Sequence, residues 1–223
     1  MIDGPRQPPA RGGKPDSLVV FAHGYGSNGA DLISLAPYWA KLLPGAQFVS
    51  PNAPEPVPGM PGAYQWFGLT SRDPSAMARG VQNVADQLNR FIDRELERYG
   101  LDGGRLALVG FSQGTMIALH VGLRRKTPPA AILGFSGALV AAERLKEEAV
   151  GRPPILLVHG ERDDMIPVSS MFGAAEALAE AGLGVQWHIS YGAPHTIAQD
   201  GLELGGAFLK MALSQPALAG AAR

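Results

Sequence analysis

Six short apolar runs, each bounded by Gly or Pro, recur along the chain at 18–22, 47–50, 105–109, 131–135, 155–158 and 185–190. Most show no polar alternation, which is the pattern of strands buried on both faces. Between them lie stretches whose apolar residues repeat with the period of a helix. The clearest covers 75–99, where Val81, Val84, Ala85, Leu88, Phe91, Ile92 and Leu96 fall on one face. Gly100 and Gly103 then stop it. Further helices are predicted at 113–124, 169–181 and 197–213. Strands alternating with helices predict an α/β fold, a mostly parallel central sheet with helices on both faces and right-handed crossovers.

One segment breaks this rhythm. Residues 50–74 carry Pro51, Pro54, Pro56, Pro58, Pro61 and Pro74, with Tyr64, Trp66, Phe67 and Leu69 among them. Long irregular loops in small domains often serve function. Prolines lower the entropy lost on ordering such a loop, so Trp66, Phe67 and Leu69 are the candidates for a preformed wall against an apolar substrate group. The competing reading is a stiffened surface connection whose aromatic rings are tucked onto the core.

Length and charge narrow the class. A chain of 223 residues suits one α/β domain. Residues 1–14, rich in Pro, Gly and Arg, read as a mobile tail, and 15–223 as a single domain. The 19 basic and 20 acidic side chains leave a net charge of −1 and no basic stripe, which argues against nucleic acid or anionic lipid as partner. No run approaches the roughly 18 apolar residues of a membrane span, and the N-terminus has no signal-like apolar core. The expectation is a soluble, cytoplasmic protein without integral membrane association, and a weak homodimer is compatible with it. The chain has no cysteine, which removes disulfides, thiolate metal sites and a cysteine nucleophile at once. Its histidines and carboxylates show no metal-ligand spacing, so neither metal nor cofactor is expected.

The sharpest chemical signal is Gly110-Phe111-Ser112-Gln113-Gly114, which follows an apolar strand and opens an apolar helix. Strand, sharp turn and helix around G-x-S-x-G describe the nucleophile elbow of the α/β-hydrolase fold, where the serine is exposed at the carboxyl end of the sheet. Serine is a weak nucleophile at neutral pH, so it needs a base and an acid that orients the base. In this fold they follow in the order Ser, acid, His. After 155–158 come Glu161, Asp163 and Asp164, three acidic candidates in one loop; after 185–190 comes Gly192-Ala193-Pro194-His195. Of the five histidines, only His195 lies in a Gly/Pro loop beyond the acid and ahead of a helix. His120 is placed within a helix, His188 inside a strand and His159 at a strand end, where local hydrogen bonding is the usual role. A developing oxyanion would find one donor in the Gln113 backbone N–H at the helix start. The second would come from His23-Gly24-Tyr25-Gly26, with the Tyr25 N–H as donor. The glycines of that loop also echo a dinucleotide-binding G-x-G-x-x-G, but no acidic ribose-binding residue stands at a matching distance.

Taken together, these stretches resemble the phospholipase/carboxylesterase family, which includes acyl-protein thioesterases and small bacterial carboxylesterases. The resemblance runs from about Ser17 to Leu213 through His23-Gly24-Tyr25-Gly26, Trp66-Phe67, Gly110 to Gly114, His159-Gly160-x-x-Asp163-x-x-Ile166-Pro167 and Gly192-Ala193-Pro194-His195. It implies an α/β-hydrolase fold with no large cap domain, a Ser112–Asp163–His195 triad and a structural role for His23. Members often carry aspartate where Glu161 stands and leucine where Tyr25 stands. The implied activity is hydrolysis of carboxylic esters of short-to-medium acyl chains through an acyl-enzyme. Alternatives are an acyl-protein thioesterase or lysophospholipase acting on long chains, and a non-catalytic ligand receptor on the same scaffold.

Overall fold

The computed structural model describes residues 2–69 and 73–214. In chain order its elements are β1 (Arg6–Gln7), β2 (Ser17–Ala22), α1 (Gly29–Ile33), α2 (Ala36–Ala40), β3 (Ala46–Val49), β4 (Glu55–Pro56), β5 (Tyr64–Gln65) and α3 (Pro74–Tyr99). They continue with β6 (Leu106–Phe111), α4 (Gln113–Arg124), β7 (Ala131–Phe135), α5 (Leu145–Glu148), β8 (Ile155–Gly160), α6 (Ser169–Glu180), β9 (Gln186–Ser190) and α7 (Gln199–Ser214).

Seven strands form one sheet in the order β1-β3-β2-β6-β7-β8-β9, with every pair parallel except β1 on β3. Each central strand buries side chains on both faces, as the unbroken apolar runs predict. From β2, Leu18, Val20 and Ala22 pack with α3 and α4, while Val19 and Phe21 pack with Trp39 of α2 and with α7. Farther along the first face, Ile132, Ile155 and Leu157 meet α4 and α6. Helices therefore cover both faces, and the mostly parallel, doubly covered α/β-hydrolase architecture is the one observed.

Local chemistry explains the longest helix. Asp73 caps α3 by accepting from the Ser75 and Ala76 N–H groups, Pro74 occupies the first turn, and Gly100 ends it in the left-handed region at φ 62°. Val81, Val84, Leu88, Phe91, Ile92 and Leu96 are buried beneath it, each apolar side chain contributing roughly 1.5–3 kcal/mol. No helix among the described residues is long and apolar enough to cross a membrane.

The N-terminal segment differs from the mobile tail expected of residues 1–14. Arg6 and Gln7 pair antiparallel with Val49 and Phe48, and Ile2 is buried against the α3 face of the core. Arg6 also forks onto Glu95 of α3, with Nε and Nη2 donating at 2.9 and 2.7 Å. Glu95 is only 1% exposed, so this pair closes a buried charge whose uncompensated burial would cost about 3 kcal/mol or more. A proline-rich polar segment has no periodic apolar signal, yet its backbone supplies a strand and Arg6 supplies an anchor.

Candidate active site

The site lies where β2, β6, β8 and β9 run out at the carboxyl edge of the sheet. Ser112 stands between β6 and α4 with φ 55° and ψ −117°, a conformation unfavourable for a residue with a Cβ. Its neighbours hold it there. The Ser112 N–H donates to Phe135 O at 2.9 Å, extending the ladder to β7. Thr115 Oγ1 donates between Gly110 O at 2.9 Å and Phe135 O at 2.8 Å. The two flanking glycines are demanded by space: a Cβ on Gly114 would fall 1.8 Å from Ala22 O, and one on Gly110 would fall 2.4 Å from Gly114 O. Strand and helix backbones pass too closely here for any side chain.

The acid and imidazole loops are laced together. Glu161 N–H donates to Ser190 O, Arg162 N–H to Ala193 O, and Gly192 N–H to the Glu161 carboxylate. Within this lacing Asp163 is buried, while Asp164 and Glu161 are exposed. Asp163 Oδ2 accepts from His195 Nδ1 at 2.7 Å, and Oδ1 accepts from the Met165 and Ile166 N–H groups at 3.0 and 2.8 Å. Burial works against the ionised form, but the Ile166 N–H, the His195 ring and the Met165 N–H together hold the carboxyl below its usual range. His159, at the end of β8, donates through Nε2 to Ile166 O at 2.8 Å and stands 3.3 Å from Asp163 Oδ2. It clasps the acid loop from beneath.

The His195 ring lies against Phe111, with 4.9 Å between ring centroids, which sets it beside the residue preceding Ser112. Its Nδ1 is engaged by Asp163, so Nε2 is the ring nitrogen not committed to that carboxylate. Two further histidines are bound up in other parts of the fold. His188 pairs with Asp200 at 2.8 Å, and His120 is buried in α4.

The two amides expected to serve as oxyanion donors lie in the segments that adjoin Ser112, the start of α4 and the loop after β2. The Gln113 N–H is one of the first-turn amides of α4 and has no protein acceptor among the described residues. In the loop after β2, Gly26 N–H donates to Tyr64 O and Ser27 N–H to Gly24 O. Among the described residues the Tyr25 N–H has no protein acceptor. A Cβ on Gly24 would lie 3.3 Å from Ser112 Cβ, so this loop packs directly on the elbow.

Two substrate-wall candidates are corrected. Trp66 is fully buried and donates through Nε1 to His23 O at 2.9 Å. Phe67 is 3% exposed and packs beside Gly80 of α3, where a Cβ would be 2.8 Å from its ring. Their rings are interior supports, because burying them against α3 and the β2 loop removes more apolar surface from water than lining an open cleft would. Leu69 is exposed, as are Tyr25, Met60 and Met165 in the surrounding loops. The side-chain role of Gln113, invisible to motif reading, is its buried carboxamide: Oε1 accepts from Trp66 N–H at 2.9 Å and Nε2 donates to Phe67 O at 2.7 Å. A polar residue opening an otherwise apolar helix was the one available signal. Among the described residues no group of three or more His, Asp or Glu side chains is placed to hold a metal ion.

Known proteins share this arrangement of chain. The phospholipase/carboxylesterase family model matches residues 9–213. The chain is 29% identical over 192 residues to an acyl-protein thioesterase 1 of Emericella nidulans, covering 76% of this chain and 79% of that one. It is 28% identical over 183 residues to esterase YpfH of Escherichia coli, covering 81% and 76%. Among solved structures, esterase PE8 superposes with a TM-score of 0.91 at 42% identity, over 96% of this chain and 100% of that one. SOBER1 of Arabidopsis thaliana, at 23% identity and a TM-score of 0.76 over 89% and 99%, shares the fold. With the family model spanning nearly the whole sheet and every loop of the site, the chain belongs to the phospholipase/carboxylesterase family.

Proposed function

We propose that this protein is a serine carboxylesterase that hydrolyses esters of short-to-medium acyl chains through an acyl-enzyme. The observation that carries the reading is the 2.7 Å bond from His195 Nδ1 to the buried Asp163 carboxylate, set beside a serine held at φ 55°. Asp163 fixes the imidazole with its proton on Nδ1, which leaves Nε2 free to take the Ser112 proton. As that proton moves, Ser112 Oγ bonds to the substrate carbonyl carbon, and the carbonyl oxygen gains charge facing the Tyr25 and Gln113 N–H groups. Collapse breaks the bond to the leaving alkoxide, which receives the proton from His195. Water, deprotonated by the same imidazole, then attacks the acyl-Ser112 ester and releases the acid. Every step uses groups of this chain, and none calls on a metal or cofactor.

Exposed Tyr25, Met60, Leu69 and Met165 in the loops around the elbow support an open apolar rim for a modest acyl group. A second reading is favoured by the relatives named acyl-protein thioesterase 1: cleavage of acyl thioesters by the same groups. A cysteine-free chain suits a cytoplasmic setting for either. The test is kcat/KM for p-nitrophenyl esters from acetyl to palmitoyl beside matched acyl thioesters. A maximum at six carbons or fewer with esters ahead supports the proposal, and a maximum on long thioesters replaces it with the second reading.

A further inference from the structure

The two proposed oxyanion donors come from separate elements, the loop after β2 and the start of α4, and one partly buried segment ties them together. Residues 64–67 lie between the β2 loop and the start of α4. On one side Tyr64 O accepts from Gly26 N–H at 3.0 Å, Tyr64 N–H donates to Ser27 O at 2.8 Å, and Trp66 Nε1 donates to His23 O at 2.9 Å. On the other side the Gln113 carboxamide spans Trp66 N–H and Phe67 O at 2.9 and 2.7 Å. His23 itself is locked: Nδ1–H donates to Gly24 O at 2.7 Å and Nε2 accepts from Ala53 N–H at 2.9 Å. Burial, against the pull of the Gly24 carbonyl, lowers its pKa and keeps the ring neutral, the only form in which Nε2 can accept.

A buried carboxamide with both ends paired is costly to place and costly to break. Gln113 is 1% exposed, and its partners are backbone groups of a loop that contributes no reacting atom. We infer that the Gln113 side chain and the Trp66 indole are positioning residues. They hold the Tyr25 and Gln113 N–H groups at one fixed separation, so that both meet the oxyanion without reorganising. The inference rests on the esterase reading of the site. It assigns Trp66, buried where a substrate cannot reach it, a task in the chemistry. Preorganised donors act chiefly on the transition state, so loosening the brace should lower kcat and leave KM nearly unchanged.

The test uses Gln113→Met, which keeps volume and removes both hydrogen bonds, and Trp66→Phe, which keeps an aromatic ring and removes only the indole donor. Each is assayed on p-nitrophenyl butyrate, titrated with a trifluoromethyl ketone that forms a tetrahedral adduct, and melted thermally. The expected result is a fall in kcat of about 10–100-fold, below the 10²–10³ of losing a donor outright, with KM within threefold and ketone affinity falling in step with kcat. Gln113→Glu, whose protonated acid can reproduce both bonds, should recover activity relative to wild type as pH is lowered. Variants that melt earlier yet keep kcat and ketone affinity within twofold of wild type would overturn the inference and leave the brace a matter of stability. Fluorophosphonate labelling separates the two levels. Wild-type protein that is neither labelled nor active overturns the esterase reading and the inference with it, whereas labelled, active wild type with unimpaired variants overturns the inference alone.

Discussion

Asp163 accepts from His195 Nδ1 through Oδ2 at 2.7 Å while its Oδ1 is occupied by the Met165 and Ile166 amides. This division of labour between two oxygens fixes more than an orientation. An asparagine at 163 would have to place its oxygen toward the two backbone donors, which turns its NH₂ toward His195. The imidazole would then accept through Nδ1 and carry its proton on Nε2, the wrong tautomer for a base facing Ser112.

Asp163→Asn is therefore expected to lose on the order of 10³–10⁴ in kcat with its fold retained. Asp164→Asn changes an exposed side chain one residue away and should keep most of its activity. Steady-state kinetics of the two variants check this, and the opposite ranking would move the acid to Asp164.

The acid limb of stability should carry the mark of His120. Burial, helped by the neighbouring Arg124 cation, pushes this imidazole down to about 4, and its buried Nδ1 has no partner among the described residues. The unfolded chain binds a proton near the ordinary 6.5, the folded one only near 4. Between those values the unfolded state holds more protons, so stability falls as pH falls through that window. The gap corresponds to at most roughly 3.5 kcal/mol. Urea titrations of wild type and His120→Leu between pH 7 and 4 should show a shallower loss in the variant. Parallel slopes would mean that the ring is not the group responsible, and buried His23, lowered in the same sense, would be next to test.

Much of this was readable in the chain, for reasons that differ from residue to residue. The elbow is a local device: Gly110 and Gly114 are required by contacts within the strand–turn–helix unit and with the adjoining strand β2, so their spacing alone announces it. The Asp163–His195 pairing joins residues 32 apart, but it follows from loop order at the carboxyl edge of a parallel sheet, which the apolar runs already imply. Trp66 and Phe67 stand out in the sequence but their direction does not, because aromatic residues in a proline-rich loop look alike whether they face a cleft or plug a core. Only the indole bond to His23 and the packing on Gly80 distinguish the two. Strand β1 was not legible at all. Arg6 and Gln7 join the sheet through backbone groups, and backbone pairing leaves no trace in side-chain periodicity.

Whether Ser112 becomes acylated is the point on which everything else depends. Wild-type protein mixed with excess p-nitrophenyl butyrate, quenched in acid within milliseconds and read by intact mass and peptide mapping, should carry one butyryl group on Ser112. Ser112→Ala should carry none and should lose up to about 10⁶-fold in turnover. An adduct on any other residue, or turnover that survives in Ser112→Ala, would contradict the assignment of the nucleophile and the mechanism built on it.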